Sequence, residues 1–474
     1  MKKCILLCLT LVFSLQAGQE PFNPRYENVR IIPMDVSVQC WTFNQFTFEQ
    51  ALAKINDLGV KYVEAYPGQR LSEERPESET FGHHMTAEQR SWVKDLLKQY
   101  DLTLVSYGVV HFDNTREAAE TVFQFARDMG IYTLVIEPEY DDFTLIESLV
   151  KDYNIRVGVH NHPEPSKYWN PYTVYNTIKD LDPRIGVCAD TGHWLRSGVN
   201  PVEALRFLTG RITNVHLKDL NKAGRKTAHD VPFGSGAAHI YDVLAELTLQ
   251  DYHGFLAVEH ENKAERLNPS PSIEKGLDYI KNITHLDGYR SLLPFNRRNL
   301  RYSKHGWNHY GPGYFILDEE NGVLESHKGM GLLWYSAEPL SDFVLELDFK
   351  SESMNTNSGI FLRIPDVVVN NDYITNSFEI QIYDRGMGTH KTGAVYDAEA
   401  PIRDAMKPDG QWNHYKITCK GDRYKVELNG ALVIDWIVEP RGKITSFSEN
   451  GYFGLQNHDD HAVVRFKNIY LKKL

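Results

Sequence analysis

Short apolar runs alternate with amphipathic segments from about residue 30 to residue 285, and the alternation repeats eight times. In "TFEQALAKINDLG", for example, Thr47 and Gln50 form a capping box and Gly59 ends the helix. Eight strand–helix repeats predict an α/β fold, a (β/α)8 TIM barrel, over residues 28–285. An open doubly wound sheet is the alternative, but "CWTFNQF" after the first run lacks the glycines expected there. The apolar runs span 36–43, 60–67, 102–110, 132–139, 155–162, 184–192, 212–219 and 255–261.

The pattern of the sequence changes near residues 285–305. Beyond this point helical periodicity is lost, and apolar and polar residues alternate in short runs, for example at 343–349 and 463–471. Asn429 and Gly430 separate two such runs, which indicates a tight β-hairpin. The pattern predicts an all-β jelly-roll sandwich over residues 305–474, joined to the barrel by a linker at 286–304.

The beginning of the chain has the composition of a secretory signal peptide. Lys2 and Lys3 precede the apolar run "CILLCLTLVFSL" and the small residues of "QAG", so residues 1–18 are expected to be removed on export. No later apolar stretch is long enough to cross a bilayer, so no membrane anchor is expected. Cys40, Cys188 and Cys419 are too few for a disulfide framework. These features favour a periplasmic location.

The charge balance argues against one class of partner. The formal net charge is -12 and no basic stripe is present, so nucleic acid is not an expected partner. An acidic chain is compatible with neutral substrates or with bound cations. The sequence leaves the oligomeric state open.

Five consecutive apolar runs in the predicted barrel end in titratable groups. Because the carboxyl ends of barrel strands meet at one mouth, these groups are expected to lie close together. Several carboxylates at one opening are unfavourable unless a cation compensates their charge. The groups are Glu137, then His160 and His162, then Asp190 and His193, then His216, Lys218 and Asp219, and finally Glu259.

A subset of these groups has the composition of a divalent-metal site. Glu137, Asp190, His216 and Glu259 supply three carboxylates and one imidazole, which suit Mn²⁺, Mg²⁺, Co²⁺ or Zn²⁺. With one dication the summed charge is about -1. A neutral sugar hydroxyl or ketone enters such a field more readily than an anion.

Other residues near the predicted mouth have two interpretations each. His160 and His162 lie on opposite faces of a strand, and His162 is preferred as a substrate contact. Lys218 either steadies an enolate oxygen or pairs with Asp219. Trp194, like Trp41, either stacks on a sugar ring or fills the core. Glu64, Gln39 and Tyr107 are expected to be structural, and the loop 229–239 either closes over a substrate or connects elements.

The motifs "IEP", "ADTGH", "HLKD" and "VEHE", in this order, resemble the xylose isomerase-like barrels that include sugar epimerases, inosose dehydratases and endonuclease IV. In the epimerase branch, the resemblance implies metal ligation by Glu137, Asp190, His216 and Glu259. It also implies proton exchange with substrate by Glu137 and Glu259 and a substrate contact by His193. The endonuclease branch is disfavoured because this chain lacks a basic surface.

Motifs of the second half, including "NTNSGIFLR", "FEIQIYD" and "GLQNH", resemble the 3-keto-disaccharide hydrolase family, which has a concanavalin-like fold. Glu379 with Asp384 could act as acid and base, but these positions are also compatible with an ordinary solvated sheet face. The residues expected to line one concave sheet and bind substrate are Arg363, Glu379, Gln381, Asp384 and His458.

Together the two resemblances imply a divalent-metal-dependent enzyme that cleaves 3-keto glycosides, and the signal peptide implies that this enzyme is exported. Glu137 or Glu259 would remove the proton on carbon 2, and His193 or Lys218 would steady the enolate while the glycosidic group leaves. Water addition would make the net reaction a hydrolysis. The alternatives are a sugar isomerase or epimerase barrel with a carbohydrate-binding sandwich, or catalysis by the sandwich alone.

Overall fold

The computed structural model describes residues 25–474 except 27, 28, 30, 112, 114, 285–287, 297–300, 459, 461 and 462. The predicted signal peptide lies outside the described residues. Contacts divide the chain into two compact units, Met1–His285 and Leu286–Leu474. Each is described by itself.

The first unit contains a closed barrel of eight parallel strands, which confirms the predicted fold. Around the barrel the order is β1-β8-β7-β6-β5-β4-β3-β2, so that β1 pairs with both β2 and β8. The strands are β1 (Asp35–Gln39), β2 (Tyr62–Ala65), β3 (Thr103–Val110), β4 (Thr133–Ile136), β5 (Arg156–His160), β6 (Ile185–Asp190), β7 (Ile212–Leu217) and β8 (Phe255–Val258).

Two helices of this unit have the caps that the sequence predicts. Thr47 and Gln50 form the capping box of the helix that begins at Phe48, and Gly130 adopts a left-handed conformation after the helix that ends at Met129. The apolar faces of the helices pack with the strands in one hydrophobic core. The helices are α1 (Phe48–Asp57), α2 (Ala87–Gln99), α3 (Arg116–Met129), α4 (Phe143–Tyr153), α5 (Pro171–Ile178), α6 (Thr191–Arg196), α7 (Pro201–Phe207), α8 (Ile240–Leu249) and α9 (Ser270–Ile283).

The second unit contains two antiparallel sheets around a shared core, the predicted β-sandwich. The strands of the larger sheet, in spatial order, are β13 (Tyr314–Asp318), β14 (Val323–His327), β23 (Val464–Lys473), β16 (Phe343–Ser351), β19 (Asn413–Lys420), β20 (Arg423–Leu428) and β21 (Ala431–Ile437), with β9 (Arg290–Ser291) also paired to β23. Those of the smaller sheet are β12 (Trp307–Tyr310), β15 (Gly331–Leu340), β22 (Gly451–Asn457), β17 (Asn357–Ile364) and β18 (Phe378–Tyr383).

Two features near the sandwich boundaries bear on the sequence predictions. The hairpin is present at Asn429 and Gly430, both with positive φ, between β20 and β21. The segment 286–304, predicted to be a linker, includes strand β9 and the two-residue strand β10 (Phe295–Asn296), which pairs with β11 (Arg301–Tyr302). Backbone hydrogen bonds therefore make part of this segment a component of the second unit.

Among the residues that the structure describes, no helix has both the length and the apolarity needed to span a bilayer.

Candidate active site

The carboxyl ends of the barrel strands surround a cavity of about 320 Å³, a size typical of small-molecule sites. Trp41 and Tyr66 supply aromatic surface to its wall, with ring centroids 4.9 Å apart in an edge-to-face arrangement. The charged and titratable groups in the wall are His111, His160, His162, His193, His216, Glu259 and Glu261. The cavity therefore combines polar groups that can act on a substrate with aromatic rings that can hold one.

Three of the four predicted metal ligands lie together at this mouth. Asp190, His216 and Glu259 each place one ligand atom within 4.8 Å of the others. His216 Nδ1 lies 3.0 Å from Glu259 Oε2 and 3.8 Å from Asp190 Oδ2. These three atoms are buried, and none makes a hydrogen bond of good geometry with a described residue. Buried polar atoms without such bonds are costly, and a dication among them would satisfy all three.

The other carboxylate oxygen of Asp190 has a structural role. Asp190 ends β6 and caps α6, because its Oδ1 accepts a hydrogen bond of 2.7 Å from the backbone N–H of His193. The cap fixes the carboxylate and leaves Oδ2 directed at His216 and Glu259. Asp190 of the "DTGH" motif thus has two roles: one carboxylate oxygen caps α6 and the other is a candidate metal ligand.

Glu64 on β2 holds the far side of the His216 ring. Its Oε1 lies 2.6 Å from His216 Nε2, and both side chains are buried. Ser106 and Asn214 donate to the other oxygen of Glu64. Burial raises the pKa of the Glu64 carboxyl, but His216 and these donors outweigh burial and lower it. Glu64, predicted to be only structural, therefore contacts a candidate metal ligand.

Glu137, the fourth predicted ligand, lies in a different cluster. Its Oε1 is 2.9 Å from His160 Nδ1 and also accepts from the ring and the backbone N–H of His162. The structure groups it with these two histidines and not with the Asp190, His216 and Glu259 atoms. Burial raises the pKa of Glu137, but the hydrogen bonds from the histidines outweigh burial and lower it below its usual range.

Both His160 and His162 reach the mouth, which differs from the expectation that only one could. Strand β5 ends at His160, so the alternation of faces no longer applies at His162. The sequence favoured His162 over His160, but His160 is 2% exposed and its Nε2 lies 3.5 Å from Asp190 Oδ2. His162, the predicted substrate contact, has a half-exposed side chain in the cavity wall.

Lys218 occupies a position that neither sequence interpretation anticipated. Its buried Nζ lies 3.1 Å from both Asp190 Oδ2 and Glu259 Oε2 and 2.6 Å from Glu261 Oε2. Burial lowers the pKa of Lys218, but the three carboxylates outweigh burial and raise it well above its usual value. The ammonium group compensates the charge of the site, and it does not line the cavity as a group that contacts substrate would.

Arg196 determines which ring nitrogen of His193 carries the proton. The Arg196 Nη1 lies 2.9 Å from His193 Nδ1, and a guanidinium can only donate, so the ring proton resides on Nε2. Burial lowers the pKa of His193 well below its usual value. His193 in the cavity wall is therefore a neutral hydrogen-bond donor. Neither Arg196 nor its ion-pair partners Asp230 and Glu261 were singled out as site residues in the sequence, although Glu261 ends the "VEHE" motif and Asp230 lies in the loop 229–239.

The two tryptophans considered as stacking residues have opposite environments. Trp194 is fully buried among apolar side chains of the barrel, so it cannot stack on a ligand, and its predicted substrate contact is wrong. Trp41 is 42% exposed and lies in the cavity wall, where its Nε1 donates to Glu261. The aromatic surface offered to a ligand therefore comes from Trp41.

The loop 229–239 is fixed by one side chain. Asp219 accepts hydrogen bonds of 2.9–3.0 Å from the backbone N–H groups of Gly234, Gly236 and Ala238. A Cβ at Gly236 would lie 2.3 Å from Asp219 Oδ1, so glycine is required for this close approach. No residue of the loop lines the mouth cavity. The loop therefore serves as a structural connection in this conformation.

In the second unit, Glu379 and Gln381 lie on one face of the smaller sheet. Glu379 pairs with Phe361 across the sheet, and Gln381 pairs with Gly359, where a Cβ would lie 2.1 Å from Glu379 Oε1. Burial raises the pKa of the Glu379 carboxyl to about 8. These two side chains are buried and not ordinary solvated positions.

The remaining residues predicted to bind substrate in the second unit differ in environment. Arg363 is buried, and its Nε donates to Tyr424 while Nη1 donates to the carbonyl oxygens of Leu340 and Glu449. It therefore has a structural role, which corrects the predicted substrate contact. Asp384 follows β18 and His458 follows β22, both half-buried at strand ends of the smaller sheet.

Family comparisons match both units. Residues 52–283 match the family described as xylose isomerase-like TIM barrel, and residues 295–472 match the 3-keto-alpha-glucoside-1,2-lyase-like domain. The first unit is thus similar to one family and the second unit to the other. The resemblances seen in the sequence are thereby confirmed, and the two units are named here the xylose isomerase-like barrel and the lyase-like domain.

Individual proteins similar to the chain each cover about half of it or less. The chain is 25% identical to an inosose dehydratase of Geobacillus kaustophilus (strain HTA426) over 262 residues, 49% of this chain and 78% of the relative. Other inosose dehydratases are covered over about half of their length. A solved structure of an uncharacterised protein from Parabacteroides distasonis ATCC 8503 is 29% identical, with a TM-score of 0.44, and covers 52% of this chain and 98% of that one. The chain is also 27% identical to a solved structure of a candidate glycosyl hydrolase of the same organism, with a TM-score of 0.32 and coverage of 39% of this chain and 99% of that one. Together the two families support a carbohydrate-modifying enzyme.

Proposed function

We propose that this protein is a divalent-metal-dependent enzyme that cleaves 3-keto glycosides by elimination, with its reacting centre at the mouth of the barrel. The observation that supports this most directly is the convergence of three buried atoms, Asp190 Oδ2, His216 Nδ1 and Glu259 Oε2, none of which makes a hydrogen bond of good geometry with a described residue. Two of these atoms also lie 3.1 Å from the Lys218 ammonium group. The families matched by the two units supply the substrate class.

The residues present fit a divalent cation. Asp190, His216 and Glu259 would hold the ion, and oxygen and nitrogen donors suit Mn²⁺, Co²⁺, Zn²⁺ or Mg²⁺. Such an ion, when bound, polarises a carbonyl oxygen and so acidifies the adjacent C–H bond. Lys218 Nζ lies 3.1 Å from both ligand carboxylates and 2.6 Å from Glu261, whose charge it balances beside the ion site.

The proton on carbon 2 would be removed by Glu259, since it lines the cavity and Glu137 does not. The C–H electrons form the double bond of an enolate, and His193 donates its Nε2 proton in a hydrogen bond to the enolate oxygen. When the enolate reforms the ketone, a double bond forms between carbons 1 and 2 and the bond from carbon 1 to the glycosidic oxygen breaks. The proton taken by Glu259 then passes to the departing oxygen, so the products are an alcohol and an unsaturated keto sugar. Addition of water across the double bond would complete a net hydrolysis.

The test is the release of the leaving group from a 3-keto disaccharide by the purified protein. Glu259→Gln should abolish release while the fold is retained, and Glu139→Gln, an exposed carboxylate after the fourth strand, is the matched control. Undiminished turnover by Glu259→Gln would refute the assignment to the barrel.

Two other outcomes select the alternatives. A rearranged sugar without a free leaving group would identify an isomerase or epimerase. Loss of turnover in Glu379→Gln together with full turnover in Glu259→Gln would move the chemistry to the lyase-like domain, where Glu379 is a buried carboxyl with a raised pKa.

We also propose that the chain is exported to the periplasm, on the basis of the basic and apolar residues at its beginning. Fractionation of the producing cells, with a cytoplasmic marker as control, tests the location. Recovery of the full-length chain with the cytoplasmic marker would refute it.

A further inference from the structure

Arg196 lies behind His193 at the barrel mouth, where acceptors from three parts of the chain surround its guanidinium group. Its Nη2 donates to Asp230 Oδ2 at 2.9 Å, and its Nη1 lies 2.9 Å from His193 Nδ1 and 3.4 Å from Glu261 Oε2. Its Nε donates to the carbonyl oxygen of Ala228 at 3.5 Å. The side chain is 12% exposed and does not line the cavity. Arg196 therefore contacts the His193 ring from the side that faces away from the cavity.

The neighbours of Arg196 keep it charged, and its charge decides how His193 is protonated. Burial lowers the pKa of Arg196, but the carboxylates of Asp230 and Glu261 outweigh burial and raise it. A guanidinium group has only donors, so a ring nitrogen beside it must supply a lone pair. The hydrogen bond at one nitrogen of a neutral imidazole places the proton on the other. In His193 this other nitrogen is Nε2.

The protonated nitrogen of His193 lies beside the candidate ion site. Its Nε2 is 3.7 Å from Asp190 Oδ2, one of the three candidate ligand atoms, and the ring lines the cavity. The backbone N–H of His193 donates to the other oxygen of Asp190, which fixes the start of the helix that carries the ring. The N–H donor of His193 and the candidate ligand atoms therefore lie next to each other at the cavity.

We propose that Arg196 and Asp230 are positioning residues for His193. Asp230 holds the guanidinium group, the guanidinium group occupies Nδ1, and the one ring proton stays on Nε2, from which it is donated to a substrate oxygen. The opposite tautomer would turn a lone pair toward the negatively charged enolate oxygen and repel it. This inference rests on the proposed function, in which His193 donates to that oxygen. It also gives the loop 229–239 a part in the reaction, because Asp230 belongs to this loop.

The first measurement locates the ring proton of His193. In ¹⁵N NMR of the full-length protein with labelled histidine, protonated and unprotonated ring nitrogens have well-separated chemical shifts, and His193→Gln identifies the signals of His193. We expect a proton on Nε2 and none on Nδ1 in the wild type. Arg196→Met should lose this single form, whereas Arg196→Lys should retain it because an ammonium group also only donates. Arg225→Met, which removes an exposed arginine of the same connection, should match the wild type.

The second measurement is release of the leaving group from a 3-keto disaccharide. In Arg196→Met and Asp230→Ala, kcat should fall by about 10–100-fold while KM changes little, because the donor is needed for the enolate more than for the bound ketone. Asp230→Asn keeps an oxygen that accepts from Arg196, so it should retain most of the activity. Circular dichroism verifies that each variant folds. If Arg196→Met does not fold, Asp230→Ala replaces it in both measurements.

The results separate this inference from the proposed function. A proton on Nδ1 in the wild type, or unchanged His193 signals or unchanged kcat in Arg196→Met, overturns the positioning role and leaves the elimination at Glu259 in place. Wild-type signals and kcat in Asp230→Ala overturn the role of Asp230. A wild-type protein that releases no leaving group overturns the proposed function, and the role of His193 as a donor to the enolate is overturned with it.

Discussion

Arg363 carries its charge into the interior of the lyase-like domain, where it holds three chain segments together. Its guanidinium donates to Tyr424 and to the carbonyl oxygens of Leu340 and Glu449, and its own backbone has a φ of +63°. The sequence placed it on a binding face because alternation along a strand predicts the direction of its side chain. The positive φ ends that alternation, so the side chain turns toward the core.

We therefore expect Arg363→Met to destabilise the lyase-like domain without changing how substrate binds. Each buried acceptor that loses its donor costs about 1–3 kcal/mol, so the free energy of unfolding should fall by at least about 2 kcal/mol. Urea unfolding measures this, with the exposed Arg385→Met as control. If Arg363→Met instead raised the KM and left the free energy of unfolding unchanged, the result would support the predicted substrate contact by Arg363.

Glu379 makes the stability of the lyase-like domain depend on pH. Its folded pKa of about 8 lies above its usual value of 4.5, so the folded state binds the proton more tightly than the unfolded state. The contribution of Glu379 to the free energy of unfolding is fully present below about pH 4.5 and is lost as the pH rises through 8. Between these values the free energy of unfolding should fall by about 1.4 kcal/mol per pH unit. Glu379→Gln should flatten this part of the profile. Thermal unfolding of the wild type and of Glu379→Gln from pH 5 to 9 measures the two stability profiles. Profiles that run parallel would contradict the raised pKa of the buried Glu379 carboxyl.

At the scale of elements, the sequence predicted the eight barrel strands within a few residues because hydrophobic periodicity is a local property. It also located Asp190, His216 and Glu259, because each lies at the carboxyl end of its strand: Asp190 ends β6, His216 is next to last in β7, and Glu259 follows β8. It could not locate Glu64 as a partner of His216, since the two lie 152 residues apart and meet only across the closed barrel. Strands β12 to β15 of the sandwich were not predicted individually from the sequence, and this region shows no helical periodicity.

The element that connects β7 to α8 depends on Asp219. We expect Asp219→Asn to loosen the loop 229–239, because an amide offers one acceptor oxygen where the carboxylate offers two. At least one of the three hydrogen bonds, each with a net contribution of about 0.5–1.5 kcal/mol, would be lost. Hydrogen exchange of the Gly234, Gly236 and Ala238 amides should accelerate while exchange in the strands is unchanged. Unaltered exchange at these amides would show that the loop is held by other contacts.

At the scale of the whole molecule, the two units have separate hydrophobic cores, so each is expected to respond separately to its own ligand. Metal that binds only the folded barrel should stabilise the barrel by about 2.7 kcal/mol at a concentration 100 times its Kd. A chelator should therefore lower the unfolding temperature of one transition and leave the other in place. Calorimetry of the full chain measures this, and Asp190→Asn should remove the metal-dependent shift. Equal shifts of both transitions would contradict a site confined to the barrel.

The hydrogen bond between Glu64 and His216 joins the second strand to the seventh, and Glu259 follows the eighth. No shorter piece of the nascent polypeptide can assemble this centre, so uptake of the proposed ion would come after the last strand has closed the ring. The identity of that ion would then be decided by the metals available wherever folding finishes, and not by those present at the ribosome. A chain that matures outside the cytoplasm would draw its metal from that environment.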